Sequence, residues 1–163
     1  MADRRKTTEE RGLFKVNINN ALFQSENIRD VLLGDTSGVG SKAELYKLFK
    51  EQVYSHLFVD DSITETKSYI FYDVVFPRIH AQIKTCQVLL YAISHRKILD
   101  TYSKPGYYGN RSDILSQMIE ETLLDEDVCK EFGIGELTLD SIEIYNSNKF
   151  YGCIMTFSVP NFR

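Results

Sequence analysis

The sequence predicts an α+β fold, a mostly antiparallel sheet of four to five strands with helices packed on one face. Three observations carry this expectation. Helical and strand-like segments are grouped, in the order helix, helix, strand, strand, helix, strand, strand. The last two strands flank the short connection Asn146-Ser147-Asn148 and read as an antiparallel hairpin. The 163 residues, 43% hydrophobic and 26% charged, suffice for one core without a disulfide or metal staple.

Residues 1–24 show no clear period. Arg4, Arg5, Lys6, Glu9, Glu10 and Arg11 make a charged start, and Leu13 to Ile18 then alternate apolar and polar. The reading is a flexible arm, able to add a short strand to a neighbour, ahead of a single domain at residues 25–163. Ser25 is placed to cap a short helix carrying Ile28, Val31 and Leu32, with Gly34 as its terminator. Gly34 to Gly40 is a loop by composition. Ser41 and Glu44 then have capping-box spacing, and Leu45, Leu48, Phe49, Gln52 and Val53 predict one amphipathic helix of about 14 residues.

Tyr69 to Phe76 is aromatic and β-branched and predicts a strand ended by Pro77. Residues 82–95 predict a longer strand, apolar on both faces in its middle, hence central in the sheet. Ile83, Thr85, Gln87, Leu89, Tyr91 and Ile93 fall on one of its faces. Lys104 to Asn110 is turn-rich, and Asn110 or Ser112 caps a helix that buries Ile114, Leu115, Met118, Ile119, Thr122 and Leu123. Asp125 to Gly133 reads as a polar turn or a short helix. Leu137 with Leu139, and Ile142 with Ile144, alternate in opposite phase, so Asp140-Ser141 predicts a bulge. Tyr151 to Val159 forms the last strand, stopped by Pro160.

Composition excludes several function classes. No apolar run approaches the roughly 18–20 residues that cross a bilayer. The charged first ten residues predict no secretory signal. Cys86, Cys129 and Cys153 are odd in number and widely spaced, which argues for buried thiols in a reducing compartment and against a disulfide framework or zinc site. With 19 basic and 23 acidic residues the net charge is −4, the wrong balance for gripping a phosphate backbone.

The segment from Gly34 to Lys42, GDTSGVGSK, looks at a glance like a phosphate loop. That motif needs G-x-x-x-x-G-K-[ST], so that Lys reaches the β- and γ-phosphates and the hydroxyl holds Mg²⁺. Here Gly34 to Gly40 is one residue too long, and Ser41-Lys42 reverses the required order. His56 with Asp60 and Asp61 reads as a capped turn before it reads as a metal cluster. Asp73 could serve as a nuclease carboxylate, but Gln82 stands where Glu-x-Lys would put the second acid. No catalytic, cofactor-binding or metal-ligating residue is expected.

From about Glu26 to Arg163 the chain resembles the small neck and tail proteins of tailed bacteriophages, in particular the tail-terminator or tail-completion family. The resemblance lies in element order and in four segments: Ser68 to Pro77, His95-Arg96 closing a long strand, Tyr107 to Leu115 opening a helix, and Phe150 to Phe157. It implies a non-enzymatic virion protein at the head–tail junction. Such a protein forms a homo-oligomeric ring, expected as a hexamer, that caps the tail tube. Its implied partners are the tail tube protein and the head-completion or connector proteins, with double-stranded DNA passing through the lumen without specific binding. It belongs to the virion neck or tail, and to the host cytoplasm during assembly. A head-closure or adaptor neck protein is the first alternative, and a P-loop-like nucleotide-binding protein using Gly34 to Lys42 the second. On the ring reading, Tyr107, Tyr108, Asn110 and Arg111 are the expected contact residues, combining aromatic and arginine anchors on a loop.

Overall fold

Five strands form one mixed sheet in the order β1-β2-β3-β5-β4, and the helices cover one of its faces. The structure is a computed structural model that describes residues 6–80 and 84–162, with side chains described as far as residue 159. Helices α1 (Thr7–Gln24), α2 (Glu26–Leu33) and α3 (Lys42–Lys50) come first, then β1 (Val53–Tyr54), β2 (Ser68–Ile79) and β3 (Lys84–His95). Helices α4 (Arg111–Leu123) and α5 (Glu126–Phe132) precede the hairpin of β4 (Thr138–Asn146) and β5 (Phe150–Phe162). The sheet is antiparallel except where β1 runs parallel to β2. The fold class expected from the sequence is the one observed.

The main core lies between sheet and helices. Ile70, Tyr72 and Val74 of β2, Cys86, Val88, Leu90 and Ala92 of β3, and Met155, Phe157 and Val159 of β5 meet the buried faces of the helices there. A second, smaller cluster sits on the opposite face, where Tyr69, Phe71, Ile93 and Phe150 are covered by Tyr54, Leu57, Val59 and Ile63. That cover explains why β3, central in the sheet, reads as apolar on both sides.

Three sequence expectations are corrected. The stretch 7–24 is a helix and not a flexible arm, and it supplies Phe14, Ile18, Ala21, Leu22 and Phe23 to the core. Its buried positions 14, 18, 21 and 22 have helical spacing, but exposed Leu13 and Val16 and buried Asn19 blur the stripe into apparent alternation. Residues 1–5, with Arg4 and Arg5 of the expected charged start, lie outside the described residues, as do residues 81–83 with Ile83. The second correction shortens the helix beginning at Lys42, which stops at Lys50. Gln52 leaves the helix, donating to the carbonyls of Leu32 at 2.5 Å and Ser68 at 3.0 Å, and Val53 pairs with Ile70 in β1. The third concerns proline. Pro77 sits inside β2 at a register shift between Val75 and Arg78, and Pro160 lies in β5 opposite the shift between Lys84 and Cys86. At such irregularities a missing N–H removes no ladder bond.

Other expectations hold. Ser25 Oγ accepts from Ile28 N–H, Gly34 ends α2 at φ 68°, and the shift between Leu139 and Ser141 is the bulge read from the phase change. Gly34 to Ser41 joins two helices. A phosphate loop follows a strand, so this segment lacks the context of that motif as well as its spacing.

Candidate functional site

The loop before α4 gathers the expected contact residues, but it turns most of them inward. Asn110 caps α4: its side chain accepts from Asp113 N–H at 3.0 Å, and the Asp113 carboxylate accepts from Asn110 N–H at 2.9 Å. Gly109, at φ 102°, makes this possible, because a Cβ there would lie 2.5 Å from the Asp113 carboxylate. Arg111 crosses beneath the loop. Its Nε donates to Ser68 Oγ at 2.9 Å, its Nη2 donates to the Val31 carbonyl at 2.5 Å, and its guanidinium stacks over Tyr102 at 5.2 Å. Ser68 Oγ in turn lies 2.7 Å from Ser94 Oγ. One arginine thus ties α4 to α2, β2 and β3.

Tyr107 donates to Glu121 at 2.5 Å and accepts from Asn27 at 3.1 Å; the bond to Glu121, with some burial, holds its phenol above the ordinary range. Tyr108 differs. Its main chain is clasped by Gln117, at 3.1 Å through the N–H and 2.5 Å through the carbonyl, while the residue is 77% exposed. Of the four residues, Tyr108 is the one that stands largely exposed. The other three bond within the fold.

Sequence reasoning missed the surfaces at the two ends of the sheet. At one end α1 guards the free edge of β2. Arg11 Nε donates to the Val74 carbonyl at 2.6 Å, and its Nη2 donates to Asp73 at 2.5 Å, with Lys15 at 3.0 Å from the same carboxylate. Burial pushes the Asp73 carboxyl up, but the Lys15 and Val74 hydrogen bonds and the two cations outweigh it and hold it below the usual range. With Arg11 bonded to its backbone and Pro77 lacking an N–H, the β2 edge is closed to strand addition.

The opposite edge, β4, carries no such guard. Its far side pairs with no strand among the described residues, and Ile142 and Ile144 stand 55% and 70% exposed. Both lie on the helix-bearing side of the sheet, next to Met155 and Cys153 of β5, but the helix layer stops before reaching them. The signal in the sequence was the alternation of Ile142 and Ile144; their exposure follows only from the place of β4 at the edge of the sheet.

The remaining candidates fold away. Asp60 accepts from Ser62 N–H in a tight turn, and His56 packs by Tyr54 and Phe71, with ring centroids 5.5 and 5.9 Å away. Among the described residues no three His, Cys, Asp or Glu side chains gather as a metal site. Burial pushes the Cys86 thiol up to about 12, which keeps it protonated and unreactive at neutral pH. No helix among the described residues is long and apolar enough to cross a membrane.

These features define an α+β domain whose polar side chains mainly lock its own loops and edges, while one strand edge and one tyrosine face outward. A family model, YomW, matches residues 16–159, and the chain belongs to that family. It is a phage-derived, prophage-type family, which makes this a phage-associated protein. Neither a curated protein nor a solved structure matches the chain.

Proposed function

We propose that this phage protein is a structural component of the head–tail junction, a tail terminator whose copies close into a ring on the end of the tail tube and receive the head connector. One observation carries the reading: a phage-family chain leaves the apolar edge strand β4 open at one end of the sheet while Arg11 and Pro77 close the other. An open edge of this kind is a template for association, and a contact between two different surfaces closes into a ring when the rotation permits. The net charge of −4 suits a lumen through which DNA slides, because like charge keeps the duplex from adhering. On this reading the protein makes and breaks no bonds. It needs no cofactor, and Tyr108 meets either the neighbouring subunit or the tube.

Deletion of the gene from an inducible prophage tests the reading. Filled heads without attached tails, together with free tails of uncontrolled length, are expected, because nothing then stops tube growth. Normal joined particles after deletion would refute the assignment.

A further inference from the structure

The two ends of the sheet present complementary surfaces. At the β4 end, Ile142 and Ile144 project from a nine-residue strand that pairs with β5 alone among the described residues, and the stretch from Ile134 to Asn148 holds Glu136, Asp140 and Glu143 and no Lys or Arg of its own, the Arg96 guanidinium being bonded to Asn146 and the Ser147 carbonyl. At the β2 end, α1 and α3 bound a groove of about 260 Å³ lined by Gly12, Val16, Asn19, Tyr46, Lys50 and Tyr72. Its apolar lip is Val16, 55% exposed, with Leu13 beside it at 41%. Of its two lysines, Lys15 is paired with Asp73 at 3.0 Å, and Lys50 donates from its ammonium to Asn19 Oδ1 at 3.0 Å. No carboxylate among the described residues lies within 4.0 Å of Lys50, and burial without such a partner pulls its ammonium below the ordinary range. Apolar surface and half-buried cation are therefore at one end, and apolar surface and unopposed carboxylates at the other.

We infer that the occupant of the α1–α3 groove is the β4 edge of a second copy of this chain, inserted edge-on, with its Ile142 and Ile144 face against Val16 and Leu13 of α1 and its opposite face, which carries Glu143, toward Lys50 of α3. The inference rests on the ring reading above and names its contact surfaces. A symmetric β4–β4 pairing is disfavoured, because it would bring Asp140 and Glu143 of one copy against those of the other and leave Lys50 without a carboxylate. Pairing of β4 with the neighbour's β2 edge is blocked by Arg11 and Pro77. A contact between unlike surfaces leaves each copy with one free donor end and one free acceptor end, which is the requirement for a closed ring.

The test uses the full chain with Val16→Asp, disabling the groove, and Ile144→Asp, disabling the edge. Both positions are exposed, and circular dichroism confirms that each variant folds. Sedimentation is expected to show each variant alone as a monomer and their equimolar mixture as a heterodimer of twice the chain mass, since the mixture restores one intact contact. Lys50→Glu is expected to weaken assembly at least tenfold, and Lys50→Glu with Glu143→Lys in the same chain to recover it. Dimers of Val16→Asp alone would overturn the inference in favour of symmetric edge pairing. Wild-type assembly by both variants would place the contact elsewhere and leave the ring reading standing. A wild-type chain that stays monomeric at every concentration would end both.

Discussion

Gly152 shows how much one missing side chain can decide. It sits in β5 opposite Ile93 of β3, and a Cβ there would fall 2.0 Å from the Ala92 carbonyl oxygen and 2.7 Å from Ile93 Cα. These are backbone atoms of the central strand and cannot rotate away, so Gly152→Ala is expected to cost at least about 2–3 kcal/mol by urea denaturation. Asp73 acts through charge. Its folded-state carboxyl lies below the ordinary 3.8, so its contribution is complete above that value and drains as pH falls through the depressed folded value. Asp73→Asn should therefore lower stability near pH 7, with the difference from the wild type shrinking as pH falls below 3.8, by parallel denaturant titrations. Being partly exposed, the cluster is worth about 1 kcal/mol at neutral pH. Neither role was legible in the sequence. Gly152 reads as an ordinary strand residue, and Asp73 first drew attention as a possible nuclease acid; both depend on what the fold sets beside them.

Elements were legible wherever their signals are local. Ser25, Gly34, Asn110 and Gly133 mark helix ends by side-chain and backbone chemistry that needs no tertiary partner, and all four stand at helix ends. The bulge at Asp140 was readable because a phase change in alternation is itself a local record. Helix α1 was not readable, because its apolar residues surround it: Phe14, Ile18 and Leu22 face the core while Leu13 and Val16 face outward. If those outward residues serve assembly, the blurred period is the trace of a second interface superimposed on the first. The turn ending α3 was hidden for another reason. Neither Gly nor Pro marks it, and Gln52 leaves the helix only because the Leu32 and Ser68 carbonyls are waiting. Two outcomes follow at this scale. Asn110→Ala removes a cap and should cost about 1 kcal/mol. Phe14→Ala opens a cavity between α1 and the sheet and should cost about 3–4 kcal/mol, a value that a flexible arm would not produce. Thermal or urea melts of the two variants measure both.

At the scale of the whole molecule, the asymmetry between the two sheet edges is what links fold to role. One edge is bonded by Arg11 and interrupted by Pro77; the other is long, partly apolar and free. Membership of a prophage-type family accords with a protein that works by assembly, and in the loop before α4 Tyr108 stands exposed while Asn110, Arg111 and Tyr107 bond within the fold. The outward-facing surface was only half legible beforehand, because the sequence marks an aromatic loop readily but cannot show which strand ends at an edge. The mass of the full-length chain by sedimentation equilibrium, across a wide concentration range, tests the account most directly. A single closed species is predicted, at six times the 18.8 kDa chain if the ring is a hexamer, with no larger members growing in as concentration rises. A chain that remains at 18.8 kDa throughout, or an open-ended ladder of ever larger species, would contradict it.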